Sequence, residues 1–278
     1  MSRPMSQSHP ATPAALIESA WRHRRLLAVL ARRDVLGRYR GSVLGLAWSL
    51  ATPVLMLLVY TFVFGVVFQA RWGTGGAGSQ AEFALVLFVG MMVFGLFSEV
   101  LLRAPTLIVG NVNYVKKVVF PLEILPPMVL SAALFHLAVS LAVWLAAHLA
   151  LVGLPPPTAL LLPLVVLPVV LLALGLGWLV AALGVYLRDV GQVITVLVTA
   201  LLFLAPVFYP LKAVPEAARA WFYLNPLTLP IEMARDVLYW GTVPHPGLWT
   251  LTLLAGAAVA WAGFAWFQKT RKGFADVL

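Results

Sequence analysis

Long apolar stretches separated by short polar segments run through most of this chain. Six stretches are long enough to cross a membrane as helices, since a hydrocarbon layer of ~30 Å needs roughly 20 residues at 1.5 Å each. The pattern therefore predicts an all-α integral membrane protein with six transmembrane helices. The predicted spans are residues 42–68, 83–102, 122–151, 160–187, 190–209 and 247–267.

The first span begins directly after a basic segment. The last charge of that segment is Arg40, and no further charge follows until Arg71. Trp48 lies close to this junction, and amphipathic rings are favoured at the level of the lipid headgroups. We therefore expect the chain to enter the bilayer here, which divides it into a cytoplasmic N-terminus, residues 1–41, and a transmembrane domain, residues 42–278.

An amphipathic helix is predicted ahead of this junction. Thr12 followed by Pro13 is typical of a helix start, with an N-cap before a proline at the first helical position. The apolar residues between 16 and 21 fall on one face, and the charged residues fall elsewhere. The pattern favours a helix lying on the membrane surface over an ordinary helix in water, because a membrane span follows directly.

The segment 212–246, between the fifth and sixth spans, is more polar and contains several prolines. An interruption at Asn225-Pro226 predicts two short helices, residues 215–224 and 230–239. Neither reaches the roughly 20 residues that a span needs. We therefore expect a re-entrant hairpin on the outer, periplasmic side of the membrane.

Composition and charge support this topology. The chain is 62% hydrophobic and 10% charged, whereas a soluble domain has roughly 45–50% apolar and about 25% charged residues.

All but four of the 19 lysines and arginines fall on the side that holds the N-terminus. Because cytoplasmic segments are enriched in these residues, both termini are predicted to be cytoplasmic. The net charge of +9 then follows from orientation and gives no reason to expect a nucleic acid partner. The four exceptions are Arg71, Lys212, Arg219 and Arg235.

Motifs that carry chemistry are scarce in this sequence. No G-x-x-x-x-G-K-[ST] phosphate-binding loop occurs, so the chain is not expected to hydrolyse ATP by itself. The span interiors carry almost no charge, which disfavours a carrier driven by protons or sodium ions. If the protein transports a substrate, the energy must come from another chain.

Few polar side chains lie within the predicted spans. Glu99 is near the cytoplasmic end of its span and four residues before Arg103, so the two are expected to pair. His136 and His148 share a helix but lie about 120° apart around it at 3.6 residues per turn. No shared site is expected, and both are interpreted as polar residues packed between helices.

Two aromatic patterns have two interpretations each. Tyr60, Phe64 and Phe68 recur at i, i+4 and i+8, and Phe94 and Phe97 are similarly spaced. These rings either line a path on which sugar rings stack or pack between helices and at the interface. A second group lies in the predicted hairpin, where it either anchors the hairpin in the interface or gates a pathway. Its members are Trp221, Phe222, Tyr223, Tyr239 and Trp240.

The connection between the second and third spans predicts a short cytoplasmic helix. Gly110 can end one helix, and Asn111 can cap the next. The helix would cover residues 112–118 and carry Tyr114, Lys116 and Lys117 before Phe120-Pro121 ends it. It is interpreted either as a docking element or as an ordinary basic loop that obeys the orientation rule.

Several stretches together carry a family resemblance. The sequence resembles the membrane subunit of ABC-2 type transporters that export polysaccharides such as lipid-linked O-antigen, capsule or teichoic acid. The resemblance covers nearly the whole chain. The stretches are RDVLGRYRGSVLGLAW (33–48), NVNYVKKVVFPLEILP (111–126), YLRDVGQ (186–192), and PVFYP (206–210) with LNPLT (224–228).

The resemblance implies an assembly and a substrate. Two copies of this chain would combine with two copies of a separate cytoplasmic ABC ATPase subunit in the bacterial inner membrane. ATP and magnesium would be bound by that partner, and no cofactor by this chain itself. The substrate would be a polyprenyl-linked polysaccharide, and membrane lipids would surround the complex.

The resemblance also implies residue roles. The residues expected to receive the motion of the ATPase are Arg33, Asp34, Asn111, Tyr114, Lys116, Lys117, Arg188 and Asp189. The residues expected along the substrate path are Arg38, Arg40, Tyr60, Phe64, Phe68, Phe94 and Phe97, with the two arginines meeting the pyrophosphate of the lipid carrier. The residues expected at the outer gate are Tyr209, Trp221, Tyr223 and Trp240.

Other functions stay open on the sequence alone. An ABC-2 exporter of a drug or lipid would share the fold, and neighbouring sugar-transferase genes would favour the glycan exporter. A membrane-embedded transferase would need paired polar residues at one membrane face. The cytoplasmic acidic residues are scattered and lack such a pairing, which disfavours an enzyme; they are Asp34, Glu123 and Asp189, besides Glu18, Glu99 and Asp276.

Overall fold

The computed structural model of the chain describes residues 12–68, 72, 80–116 and 120–278. All regular secondary structure in these ranges is helical. The predictions made for residues 1–11, for Arg71 and for Lys117 lie outside the described residues.

Twelve α-helices occur in the described ranges. They are α1 (Pro13–Arg22), α2 (Arg24–Arg38), α3 (Trp48–Tyr60), α4 (Gln80–Leu107), α5 (Val112–Lys116), α6 (Leu125–Leu151), α7 (Leu162–Tyr186), α8 (Val190–Leu204), α9 (Glu216–Leu224), α10 (Thr228–Arg235), α11 (Pro246–Thr270) and α12 (Phe274–Val277). Short 3-10 or π-helical turns extend several of them, including π-helical turns at Thr61–Val67 after α3 and at Asp236–Trp240 after α10.

Within the described residues, five helical segments are long and apolar enough to cross a membrane. They are Gly45–Val67, Ala81–Leu107, Leu122–Leu151, Pro157–Tyr186 and Pro246–Val277. The segment predicted as span 190–209 forms only the 15-residue helix α8, about 22 Å long at 1.5 Å per residue. It ends at Leu204 because Ala205, which precedes Pro206, adopts the extended backbone that a following proline favours.

Helix α4 lies at the centre of the chain. It contacts α6, α7, α8 and α10, and 72% of its span is buried inside the protein, against 6% for the first span. The first span is therefore peripheral within one chain, although the polar junction that precedes it is attached to α4 and α6. Helices from both ends of the molecule therefore pack against α4.

Helices α7 and α11 pack at close range because small residues face each other. A Cβ built on Gly263 would lie 1.9 Å from the carbonyl oxygen of Gly175, so only glycine fits at this crossing. Gly256 is similarly close to the backbone of Pro168. Such contacts between small residues allow membrane helices to approach closely without a hydrophobic driving force between them.

The helix start predicted at Thr12 is confirmed. The backbone N–H of Ala15 donates to Thr12 Oγ1 over 3.2 Å, and Pro13 occupies the first helical position. Trp21 is exposed near the end of α1, with the guanidinium of Arg24 4.4 Å from its ring centroid. The location of this helix in the membrane interface stays a prediction.

The two short helices predicted between the fifth and sixth spans are confirmed as α9 and α10. The break between them is held by Asn225, whose Oδ1 accepts from the N–H of Leu227 at 3.0 Å, and by Thr228, whose hydroxyl donates to the carbonyl of Phe222 at 2.6 Å. The π-helical turn that follows α10 ends at Gly241, which has a left-handed backbone with φ of 69°. We refer to residues 215–241 as the hairpin.

Candidate functional site

A charged network joins α2 to α4 and α6 at the end of the spans that lies beside the basic N-terminal segment. Glu99 is its centre. Its carboxylate accepts from Arg38 Nη2 at 2.5 Å and from His136 Nδ1 at 2.8 Å, while Arg103 Nη1 is 3.7 Å away. The expected pair with Arg103 is therefore the weakest of three contacts. The stronger partners come from helices distant in sequence, which spacing along one helix does not reveal.

Asp34 extends the network along α2. Its two carboxylate oxygens accept from the two terminal nitrogens of Arg103, at 2.5 and 2.8 Å. Bidentate pairs of this kind are among the stronger hydrogen bonds in proteins. The charges alternate from Asp34 through Arg103 and Glu99 to Arg38, so α2 is attached to α4 at two successive points.

Tyr39 completes the network on the side of α6. Its hydroxyl lies 3.1 Å from His136 Nε2. Protonation of His136 at Nδ1 satisfies both contacts, since Nδ1–H then donates to Glu99 while Nε2 accepts from Tyr39. Burial raises the pKa of Tyr39, which keeps its hydroxyl protonated at neutral pH. His148 is elsewhere, with Nδ1 2.9 Å from the carbonyl of Gly153, so the prediction that the two histidines share no site is confirmed.

This network forms the polar mouth of a cavity of about 440 Å³. Arg38, Tyr39, Glu99 and His136 line one end of the cavity. The remaining wall is mostly apolar and includes Met56, Tyr60, Phe88, Met91 and Met92, with hydroxyl groups from Ser49, Thr52 and Ser140. The cavity therefore presents charge at one end and flexible apolar side chains along its length, an arrangement that suits an amphipathic molecule.

The short helix predicted after the second span exists as α5, and it contacts α2. Arg33 Nη2 donates to the hydroxyl of Tyr114 at 2.8 Å, and the Tyr114 ring stacks on Phe120 with centroids 4.3 Å apart. The prediction that Asn111 caps the start of this short helix was wrong. The side-chain amide of Asn111 donates to the carbonyl of Leu107 at 2.8 Å, so it closes the end of α4.

Glu123 binds three parts of the chain together, a role that the sequence did not indicate. Its carboxylate accepts from Arg271 at 2.8 Å and from the hydroxyl of Ser19 at 3.2 Å. Its carbonyl accepts from the indole N–H of Trp178 at 2.9 Å. The N-terminal helix α1, the connection before α6 and the C-terminal tail are therefore held as one platform. The only sequence signal was an acidic residue in an otherwise basic connection.

The remaining charged residues predicted for coupling are exposed where the structure describes them. Arg188 and Asp189 occupy the turn between α7 and α8, and Lys116 is exposed at the end of α5. Arg40 is also exposed, in the loop between α2 and α3. These side chains are accessible to a partner or to a substrate from water, whereas Asp34 and Arg38 are occupied by ion pairs within the chain.

The aromatic residues predicted along the path fall into two groups. The stripe on the first span packs through Phe64, which stacks on Phe83 and Phe208 at centroid distances of 5.8 and 5.7 Å. Phe94 and Phe97 are buried in the core around α4 in this conformation. Among the described residues, Tyr60 joins the stripe to the 440 Å³ cavity.

The residues predicted at the outer gate all lie in or beside the hairpin. Trp221, Tyr223 and Trp240 are exposed, and Tyr209 donates its hydroxyl to the carbonyl of Phe203. The ring of Tyr209 also meets the edge of Phe222 at a centroid distance of 6.1 Å. Their role in gating stays a prediction.

Arg235 fixes the hairpin to α4 and to the segment after α8, although the sequence identified it only as a basic residue on the predicted periplasmic side. It is 1% exposed. Nε donates to the carbonyl of Val86 at 3.1 Å, and Nη2 donates to the carbonyl of Val207 at 2.8 Å. Nη1 pairs with Glu232 at 2.6 Å, and the guanidinium lies 4.4 Å from the ring centroid of Trp72.

The glycine at position 90 makes room for this arginine. A Cβ built on Gly90 would lie 2.8 Å from Arg235 Nη2, too close for any other residue without movement. Burial lowers the pKa of Arg235 to about 10, and Glu232 opposes that shift, so the guanidinium remains charged at neutral pH. One buried cation therefore links α10, α4 and the segment after α8.

Comparison with known proteins assigns the chain to a family. The profile of the ABC-2 type transporter family matches residues 25–239, which include the Glu99 network and most of the hairpin. The chain belongs to the ABC-2 type transporter family. This bears out the resemblance found in the sequence, and it makes the chain a membrane-embedded transport subunit.

Individual relatives of this ABC-2 protein align over most of their length. An O-antigen export system permease protein RfbA of Myxococcus xanthus is 29% identical over 263 residues, covering 94% of this chain and 98% of that protein. A protein of the same name from Klebsiella pneumoniae is 24% identical over 255 residues, covering 91% and 95%. The polysialic acid transport protein KpsM of Escherichia coli is 23% identical over 214 residues, covering 76% and 80%.

We predict that the pair formed by Asp34 and Arg103 is energetically coupled. Asp34→Asn, Arg103→Gln and the double variant should show a coupling free energy of about 0.5–3 kcal/mol in a double-mutant cycle, because the pair is bidentate and largely shielded from water. Unfolding of the purified protein in detergent provides the measurement. The exposed pair Glu18 and Arg22 on α1 is the control, with an expected coupling below about 0.5 kcal/mol. Equal coupling at both sites would contradict the prediction.

We predict that Arg235→Lys destabilises the protein although it retains the charge. One ammonium group does not reproduce the planar fork that reaches Val86, Val207 and Glu232, and a buried carbonyl left without a donor costs about 1–3 kcal/mol. Thermal unfolding in lipid nanodiscs and limited proteolysis of the hairpin should both report the loss. Arg25→Lys, at an exposed position of α2, is the matched control. If Arg235→Lys had wild-type stability and protease resistance, the buried contacts of the guanidinium would not determine the stability of the protein.

Proposed function

We propose that this chain is the membrane-spanning permease subunit of an ATP-driven exporter that moves lipid-linked polysaccharide across the bacterial inner membrane. The observation that carries the proposal is the alignment with O-antigen export permeases over nearly their full length. A polysialic acid transport protein also aligns with the chain, which supports a polysaccharide as the class of substrate.

The proposed topology has six crossings. Helix α8 is the short crossing, followed by the turn at residues 205–209, and it carries a row of exposed apolar side chains. The hairpin re-enters the outer leaflet without crossing it, in keeping with helices of 9 and 8 residues. Both termini then lie in the cytoplasm, on the side with most of the lysines and arginines.

The proposed energy source is a separate ATPase subunit that docks on the cytoplasmic platform. The platform joins α1, the connection before α6 and the C-terminal tail through Glu123, and α5 is tied to α2 through Arg33. Exposed cations at Lys116 and Arg188 offer contacts to a partner with acidic residues. Motion of α2 would reach α4 through the ion pairs of Asp34 and Glu99.

The proposed channel forms between two copies of this chain. The first span is buried over only 6% of its length within one chain. Large apolar side chains such as Leu50, Leu58 and Phe62 are exposed along it. A second copy covering this face would place the aromatic stripe of Tyr60, Phe64 and Phe68 near the subunit boundary, where a polymer could pass.

The lipid carrier would first meet the exposed Arg40. Arg38 is already paired with Glu99 at 2.5 Å, so a pyrophosphate group that engages Arg38 must compete with that carboxylate. Entry of the head group would therefore loosen the attachment of α2 to α4. This links substrate arrival to the same ion pairs that would carry the motion of the ATPase.

We predict that deleting this chain in its source organism removes the polysaccharide from the cell surface. Lipid-linked polymer should accumulate inside the cell, because synthesis continues without export, and a plasmid copy should restore the surface signal. Labelling of intact cells and extraction of lipid-linked glycan provide the measurement. Unchanged surface polysaccharide, together with retention of a drug or lipid, would favour the other exporter class of this family.

We predict that Lys116→Glu combined with Lys117→Glu weakens coupling to the ATPase. The chain should co-purify with the ATPase encoded beside it and show ATP hydrolysis in lipid, and the double reversal should lower both complex yield and activity because it repels an acidic partner. Glu216→Lys, an exposed charge reversal on the hairpin, is the control that should leave hydrolysis unchanged. Full ATP hydrolysis in the double variant would show that α5 is not part of the docking surface.

A further inference from the structure

A second cavity, of about 540 Å³, lies at the hairpin end of the molecule. Among the described residues, it shares none of its lining with the cavity beside Glu99. We refer to it as the outer cavity. The side chains that matter for its chemistry are Trp72, Lys212, Glu232, Asp236, Trp240 and Thr242.

The polar part of the outer cavity offers both acceptors and donors. Glu232 and Asp236 provide carboxylates from adjacent turns of the hairpin, and Lys212 provides an ammonium group from the preceding segment. Thr242 adds a hydroxyl that can donate and accept. A ligand with several hydroxyl groups spaced a few ångströms apart finds complementary partners on this wall.

The aromatic part of the outer cavity offers a flat apolar surface. Trp240 is 43% exposed, so part of its indole is accessible from the cavity. Its ring is held at a fixed angle by the edge of Tyr239, with centroids 4.9 Å apart and planes at 81°. Trp72 closes the cavity on another side and is packed against Phe83.

These walls are rigid because the buried arginine fixes them from behind. Arg235 pairs with Glu232 and lies over the ring of Trp72, so it orients one acidic and one aromatic wall residue at once. The carbonyl of Asp236 accepts from the N–H of Thr242 at 3.0 Å, which closes the turn carrying both side chains. A site with fixed walls loses less conformational entropy when a ligand binds.

We propose that the outer cavity is a sugar-binding subsite, in which a pyranose ring of the exported polymer stacks on Trp240 while its hydroxyls bond to Asp236, Glu232 and Thr242. A pyranose combines an apolar face of C–H groups with a rim of hydroxyls, and the cavity combines an indole face with carboxylates and a hydroxyl. A hydrocarbon chain offers no hydrogen-bond donor to Asp236 or to Glu232, which would keep only its pair with Arg235, and this disfavours a lipid tail as the occupant.

This subsite deepens the proposed function and rests on it, since it assumes that a glycan reaches the outer end of the permease. A site along a transport path must bind strongly enough to attract its ligand and weakly enough to release it. We therefore expect weak and readily reversible binding of an isolated fragment of the polymer.

The test measures glycan binding directly and without ATP. The full-length chain, purified with its ATPase and held in lipid nanodiscs, is titrated with oligosaccharide fragments released by mild acid from the surface polysaccharide of the source organism. Saturation-transfer NMR follows the fragments. Trp240→Ala and Asp236→Asn should each weaken binding about tenfold. Trp266→Ala, which removes a tryptophan of 45% exposure on α11, is the matched control and should bind like the wild type.

The outcomes separate this subsite from the function on which it rests. Loss of binding in the two cavity variants with normal binding in the control supports the subsite. Wild-type binding in both cavity variants overturns it. Absence of fragment binding in a protein that still restores surface polysaccharide to the deletion strain also overturns it, and leaves the exporter function standing. If native mass spectrometry finds a bound lipid that is lost only from the cavity variants, the occupant of the outer cavity is a lipid and the sugar-binding proposal is overturned.

Discussion

The cost of placing a charge in hydrocarbon governs where polar chemistry occurs in this protein. The long helices are almost free of charge along their centres, and the ionised groups gather at two ends. At the end beside the basic N-terminal segment they form the network around Glu99. At the other end a single buried cation, Arg235, is surrounded by two carbonyls, a carboxylate and an indole ring. Each cluster is satisfied internally, which allows it to lie close to the membrane.

Helix α4 connects these two clusters. It contributes Glu99 and Arg103 to the first, and the carbonyl of Val86 to the second, at roughly 20 Å along the axis for 1.5 Å per residue. Because α4 is largely buried and continuous, it can carry a displacement from α2 to the hairpin without a hinge between them. An ATPase that pushes the N-terminal helices would thereby act on the far side of the membrane. A shift of this kind requires two stable arrangements of the clusters, which a transport cycle driven by ATP would select in turn.

Local patterns predicted the helices well and their partners poorly. The start at Thr12 and the break at Asn225 depend on residues a few positions apart, so sequence was sufficient. The pairing of Glu99 with Arg38 and His136 depends on packing between distant helices, and the one candidate visible along its own helix, Arg103, proved the weakest contact. Asn111 was assigned to the wrong helix because a residue between two helices can cap either one. The fifth predicted span, residues 190–209, shortened to α8 because hydropathy does not register the backbone restriction that Pro206 places on Ala205.

The fit between Gly90 and Arg235 has a consequence for how these sequences can diverge. The two residues lie in different helices and far apart in the chain, yet the absence of a side chain at one creates the space that the other occupies. Replacement of the glycine by a larger residue requires the guanidinium of Arg235 to shift away from the carbonyls that it binds. Loss of the arginine leaves a void and removes the side-chain donors to the carbonyls of Val86 and Val207. Neither position can drift alone, so the pair should change together or remain fixed over evolutionary time.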